Sequence, residues 1–250
     1  MLTPQANTTV EPEFWALMPP DWSMITARLT SDKDTIAARL ADYPARYAAV
    51  ADEFANAPLS VLAIGCTGTS YLLGEARDRE VLADLSARHR VPCLSAGPAT
   101  VQALRALGAR RVGLVSPYPP DLERICLPYW AAAGFEIVAK ETPEVPGDSF
   151  HPIYAMPGGA ALAAARRLRG SGCDAIVMLG TGMATLAAIL ALRGWDGPVP
   201  LSCNLALAWA AVQAGAGQAP DRDNLLRWIA GDGWASRFGR MFAGDGGASH

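Results

Sequence analysis

The sequence predicts an α/β protein of two pseudo-symmetric halves, each an open parallel sheet flanked by helices, with a ligand crevice at their interface. Three observations carry this expectation. Short β-branched or apolar runs alternate with longer Ala/Leu-rich amphipathic stretches, the signature of βα units feeding a parallel sheet. Three segments recur in the same order in the two halves of the chain. All three are strand-to-helix junctions, which gather at the carboxyl ends of the strands, where open α/β sheets bind their ligands.

In chain order, "MLTP" reads as a short strand that begins with almost no lead-in, which raises the expectation of a clipped start. The helix "VEPEFWALM" follows, with Asn7 as a candidate cap. Apolar and β-branched content then marks strands at "MITA" (24–27), "SVLAIG" (60–65), "VPCL" (91–94), "RVGLVS" (111–116), "FEIVA" (135–139), "AIVML" (175–179) and "VPLS" (199–202). Amphipathic stretches between them place helices near 33–57, 74–89, 98–108, 120–133, 157–169, 182–193, 204–215 and 223–238. The glycine-rich tail "AGDGGASH" is expected to fray.

The repeat pairs "MLTPQ" (1–5) with "LVSPY" (114–118), "AIGCTGT" (63–69) with "VMLGTGM" (177–183), and "VPCLSAGPA" (91–99) with "VPLSCNLAL" (199–207). The offsets are 113, 114 and 108 residues, so one ancestral βα half copied once accounts for all three. The expected division is residues 1–95 with 205–250 in the first half and 96–204 in the second.

Composition narrows the function. Half of the residues are apolar, enough for a sizeable core, and the net charge of −3 comes from scattered charges that form neither a basic stripe for nucleic acid nor a polybasic membrane anchor. The start has no signal-peptide pattern, and the longest apolar stretch, "MATLAAILAL", is too short to span a bilayer, so a cytoplasmic protein without membrane or nucleic-acid partners is expected. Five cysteines without CxxC spacing argue against a disulfide framework or a zinc site, and three histidines lack i,i+4 spacing. No metal is expected.

Chemistry concentrates at "CTGTS". Cys66 ends a strand, Gly68 permits close backbone approach, and Thr69 or Ser70 can cap the helix that follows. Free N–H groups at such a helix start bind carboxylates and lower the pKa of a thiol, so Cys66 is a candidate base or nucleophile. Cys173 sits at the wrong end of its strand, Cys126 is in mid-helix, and Cys93 and Cys203 lack a glycine-rich turn after them. In the second half the matching turn is Gly180, Thr181 and Gly182, which keeps the amides and lacks the sulfur. Tyr118 offers a hydroxyl to a carboxylate or enolate, and Pro4, Gln5, Asn7 and Thr8 form the matching N-terminal turn. His151, before a proline, reads as a surface or packing residue, and Trp209 and Met183 as core.

"LTPQANTTVEPEF", "GCTGTSYLLG", "LRALGARRVGLVSPYPPDL", "VPLSCNLALAWAAVQAGAG" and "GRMF" together resemble the maleate cis-trans isomerase and arylmalonate decarboxylase branch of the aspartate/glutamate racemase superfamily. The resemblance covers nearly the whole chain. It implies an enzyme without cofactor or metal that acts next to a carboxylate on a small carboxylate or dicarboxylate. It also implies that Cys66 matches the first of two family cysteines, that Gly180 replaces the second, and that Tyr118 matches the tyrosine of the carboxylate pocket. Thr67 and the Thr181 and Gly182 amides fall where carboxylate or enediolate oxygens are held, and Asn7 matches the ligand-contacting asparagine of the isomerases. One sulfur disfavours two-base racemisation. Isomerisation through a Cys66 adduct, decarboxylation with Cys66 as proton donor, and carboxylate binding without catalysis remain as readings. The family often forms dimers, so the resemblance raises a homodimer, although no stripe in the sequence compels one.

Overall fold

The computed structural model describes residues 1–144 and 152–242. The first half runs β1 (Leu2–Pro4), α1 (Val10–Leu17), β2 (Ala27–Leu29), α2 (Ile36–Asp52), β3 (Leu62–Ile64), α3 (Thr67–His89), β4 (Cys93–Ser95) and α4 (Ala96–Leu107). The second repeats the pattern with β5 (Arg111–Val115), α5 (Pro120–Ala132), β6 (Glu136–Glu141), α6 (Ala160–Arg167), β7 (Ala175–Met178), α7 (Leu186–Ala191), β8 (Val199–Ser202) and α8 (Cys203–Gly215), preceded before α6 by a single 3-10 turn at Pro152–Ala155. Helices α9 (Arg222–Ile229) and α10 (Ala235–Phe242) follow.

Both sheets are parallel and four-stranded, ordered β2-β1-β3-β4 and β6-β5-β7-β8, so each strand of the first has its counterpart at the same place in the second. The three recurring sequence segments end β1 and β5, β3 and β7, and β4 and β8. β3 and β7 are buried along their whole length, as expected of parallel strands covered on both faces. Helix α8 is buried almost all round because it packs on α1 and α4 of the first half as well as on its own strand.

Several elements depart from the sequence expectation for local reasons. β2 starts at Ala27, where "MITA" ends, because the three-residue β1 offers pairing only from Leu2↔Ala27 to Pro4↔Leu29. Helix α3 begins at Thr67 rather than 74: Gly74, at φ +72°, joins a hydroxyl-rich first segment to the longer amphipathic one, and Cys66, not Thr69 or Ser70, takes the cap position. The stretch 223–238 is two helices, since Gly231 and Gly233 adopt left-handed backbone between them. His151 and the tail "AGDGGASH" lie outside the described residues.

Close packing of α3 on α4 depends on Gly97. A Cβ there would stand 2.5 Å from Ser70 Cβ and 2.9 Å from Tyr129 Oη. Gly97→Ala is expected to cost about 1–3 kcal/mol of stability, because the clash falls on a buried hydroxyl and a buried ring rather than on a flexible chain end. Urea unfolding at constant m-value is the measurement.

Candidate active site

A cavity of about 460 Å³ opens at the carboxyl ends of both sheets. Its floor is the β3–α3 turn (Cys66, Thr67, Gly68) and the turn after β7 (Gly180, Thr181, Gly182), with Pro4 at the end of β1. One wall is the face of α2 carrying Ile36, Arg39, Leu40 and Tyr43; the other carries Tyr118, Leu122, Ile153 and Tyr154. Apolar surface dominates the lining.

Cys66 is 3% exposed and caps α3 in extended backbone. The Gly68 and Thr69 N–H groups and the Thr69 hydroxyl face its sulfur. These donors favour a thiolate, but burial outweighs them and pushes the thiol pKa above its ordinary value, with the nearby Asp78 carboxylate adding to the rise. The depressed pKa expected from the helix start is therefore reversed by desolvation. Thr69 itself is fully buried behind the sulfur, where its hydroxyl also donates to the Cys66 carbonyl at 3.2 Å, and it does not line the cavity. Gly68 is required by Leu40, whose Cδ1 would lie 2.6 Å from an added Cβ.

Tyr118 reaches the cavity from the β5–α5 turn. Its hydroxyl pairs with Thr67 Oγ1 at 2.8 Å and with Tyr71 Oη at 3.5 Å, and burial holds it as a phenol, able to donate, well above the ordinary range. Gly180 has φ +84°, and a Cβ there would meet Ile153 Cδ1 at 2.8 Å and Tyr118 Oη at 3.3 Å, so a side chain at this position would be strained by the left-handed backbone and would have to displace the tip of Ile153. The Gly180 N–H faces Cys203, whose pKa burial pushes up to about 11. Cys203 is fully buried behind the turn and does not reach the cavity.

Thr181 fastens the two floor turns together: its hydroxyl donates to the Gly65 carbonyl at 2.9 Å and accepts from Asn7 Nδ2 at 3.1 Å. Asn7 is thus a strut between halves, and its Oδ1 accepts from the Thr9 and Val10 N–H groups at the start of α1. Gln5 is turned away, its side-chain carbonyl accepting the Ser31 N–H at 2.6 Å. Neither side chain lines the cavity; both border a shallower depression with Glu11, Trp15 and Arg28. Packing between the halves absorbs Asn7, and the segment after β2 in the same half absorbs Gln5, the two polar groups that the sequence placed against a ligand.

Sequence reasoning missed the α2 wall, although 36, 39, 40 and 43 follow the i, i+3, i+4, i+7 spacing of one helix face. It also missed Tyr43, whose pKa burial raises to about 12, and Tyr154, on the 3-10 turn. Among the described residues, no group of three or more His, Cys, Asp or Glu could hold a metal ion, and no helix is long and apolar enough to cross a membrane.

A family model described as arylmalonate decarboxylase matches residues 1–222. The maleate isomerase of Pseudomonas putida strain KT2440 is 24% identical over 230 residues, covering 85% of this chain and 89% of that protein. The fold is similar to a variant of the Nocardia farcinica maleate cis-trans isomerase with a covalently bound succinylcysteine intermediate, at TM-score 0.74 and 28% identity over 87% of this chain and 91% of that one. A liganded arylmalonate decarboxylase variant superposes at TM-score 0.73 and 22% identity, over 88% and 92% of the two chains, a likeness of fold.

The raised thiol pKa sets the pH response of Cys66. Alkylation by iodoacetamide, read on the Cys66 peptide by mass spectrometry, is expected to be slow at pH 7 and to rise about tenfold per pH unit until the thiol ionises. A plateau already reached at neutral pH would mean that the amides outweigh burial.

Proposed function

Because the chain belongs to the arylmalonate decarboxylase family, we propose that it is a cofactor-independent isomerase of a small, maleate-like unsaturated dicarboxylate, working through the Cys66 thiolate. The single observation that carries this reading is one sulfur lining the cavity, opposite a second turn that has Gly180 in left-handed backbone and no sulfur.

The chemistry closes with that one sulfur. The thiolate electron pair forms a C–S bond at one alkene carbon, and the π pair moves into the neighbouring carboxylate as an enediolate. The former double bond is then single and rotates. Collapse of the enediolate expels the thiolate and leaves the trans diacid, with no net proton transfer. Thr67, Tyr118 and the Thr181–Gly182 turn are the groups placed to hold the developing negative charge. The relatives support the same reading: a curated relative matched over 89% of its length is a maleate isomerase, and a structural neighbour carries a succinylcysteine. A cavity of about 460 Å³ with apolar walls supports a diacid bearing an apolar substituent, since sites of roughly 300–1,000 Å³ suit ligands larger than four carbons. The five cysteines are all unpaired thiols, which supports a reducing, cytoplasmic setting. A homodimer rests on the family resemblance alone.

Decarboxylation of a substituted malonate is the second reading. The observation that favours it is the buried Cys66 thiol, which desolvation keeps protonated and so able to deliver a proton inside an apolar cavity.

Proton NMR separates the two. With maleate and phenylmaleate the isomerase yields the trans diacid, and its rate rises with pH as Cys66 ionises. With an aryl-methylmalonate the decarboxylase yields a monoacid, and its rate falls over the same range. The raised pKa dictates these opposite signs, because one reaction consumes the thiolate and the other the thiol. Cys66→Ala is expected to lower either rate by on the order of a thousandfold or more. Full turnover in that variant overturns both readings.

A further inference from the structure

A heavily hydrogen-bonded ionisable group lies outside the cavity. Glu13, on α1, is 3% exposed, and its carboxylate meets only donors: the Thr185 N–H and hydroxyl, the Leu186 N–H at 2.9 Å and Asn204 Nδ2 at 2.7 Å. An acceptor-only group fits that set, although burial alone raises its pKa. Asn204, on α8, spends its other hydrogen on the Thr181 carbonyl at 3.1 Å, and its Oδ1 is buried without a partner. Reversing the amide would set Oδ1 against two acceptors, the Glu13 carboxylate and the Thr181 carbonyl. Glu13 therefore fixes which way Asn204 points.

That orientation reaches the cavity through one peptide. The Thr181–Gly182 bond is trans, so its carbonyl and N–H point in opposite directions. With the carbonyl drawn back to Asn204, the N–H of Gly182 points the opposite way, and Gly182 itself lines the cavity. The Gly182 carbonyl is held in turn by the Thr9 hydroxyl at 2.7 Å. Glycine on the pivot makes a peptide flip cheap, so the orientation needs a lock. Tyr154 enforces the glycine, since its ring would lie 2.3 Å from an added Cβ.

We propose that Glu13 and Asn204 are positioning residues which, through the Thr181 carbonyl, aim the Gly182 N–H at a substrate carboxylate as it becomes an enediolate. The proposal rests on the carboxylate reading of the cavity given above. Neither residue touches the substrate.

The test uses the intact protein and two alkylating probes of one sulfur, neutral iodoacetamide and anionic iodoacetate, with Cys66 labelling read by mass spectrometry. Asn204→Ala removes the donor to the Thr181 carbonyl. Glu13→Gln keeps the shape of the side chain; its oxygen stays on the Thr185 and Leu186 donors, and its amide nitrogen then confronts Asn204 Nδ2. Should Asn204→Ala fail to fold, Glu13→Gln carries the test. Wild-type protein is expected to favour iodoacetate relative to a free thiol. Both variants lower the iodoacetate-to-iodoacetamide ratio about tenfold and leave the iodoacetamide rate within about twofold. The kcat on maleate falls about a hundredfold, with KM changed far less. A lowered melting temperature with an unchanged ratio makes the network merely structural and overturns the proposal, as does a wild type without preference for the anion. A wild type that leaves both maleate and phenylmaleate untouched, with the ratio still falling in the variants, defeats the isomerase reading and leaves the positioning role standing.

Discussion

The Thr181 hydroxyl, donating to the Gly65 carbonyl, is the bond on which the rest depends. It joins the residue before the reactive sulfur to the turn that faces it, across a sequence separation of 116 residues. Two sheets of the same order could dock at many angles. Packing of α8 on α1 and α4, and of α3 on α5, brings them together, but burial is non-directional and does not set a register. The buried bonds among Thr181, Asn7 and Gly65 do, because each group left unpaired by a slip would carry its full desolvation cost.

A second contest is fought at the sulfur. The donors around Cys66 are those of an anion site, yet the cavity that excludes water from a substrate also excludes it from the thiolate. Burial wins in the resting protein. A substrate carboxylate entering the floor would not relieve this, since a second negative charge nearby raises a thiol pKa further. Ionisation of Cys66 is therefore opposed by burial and would be opposed further by an anionic ligand.

Much of the architecture was legible in the sequence because parallel strands buried on both faces write continuous apolar runs, as in "AIVML" and "SVLAIG", and because the duplication repeats those runs at fixed offsets. The glycine turns at Gly68, Gly180 and Gly182 were legible for a related reason: close approach by Leu40, Ile153 and Tyr154 admits no side chain. Asn7 and Gln5 misled because a polar residue in a junction looks the same whether it faces a ligand or a neighbouring chain segment. Glu13 gave no signal at all. In sequence it is one of two acids in the first turn of a short helix, and only the tertiary arrangement shows that it is buried against α7 and α8. The α2 wall was hidden by overlap, since Leu40 and Tyr43 serve both the core and the cavity.

The two copied turns have divided their labour, and the division follows from where each N–H points. In the first, the Gly68 and Thr69 amides are spent on the sulfur, so they serve the nucleophile rather than a ligand. In the second, the Gly180 amide is spent on Cys203 behind the turn, and the carbonyls of Thr181 and Gly182 are drawn away by Asn204 and Thr9. Two of the acceptors of this turn are thereby taken up by partners away from the cavity floor. A cysteine restored at position 180 would have to displace Ile153 and crowd the Tyr118 hydroxyl, the same group that pairs with Thr67 across the floor. The asymmetry between the two turns is thus matched by the packing around the second.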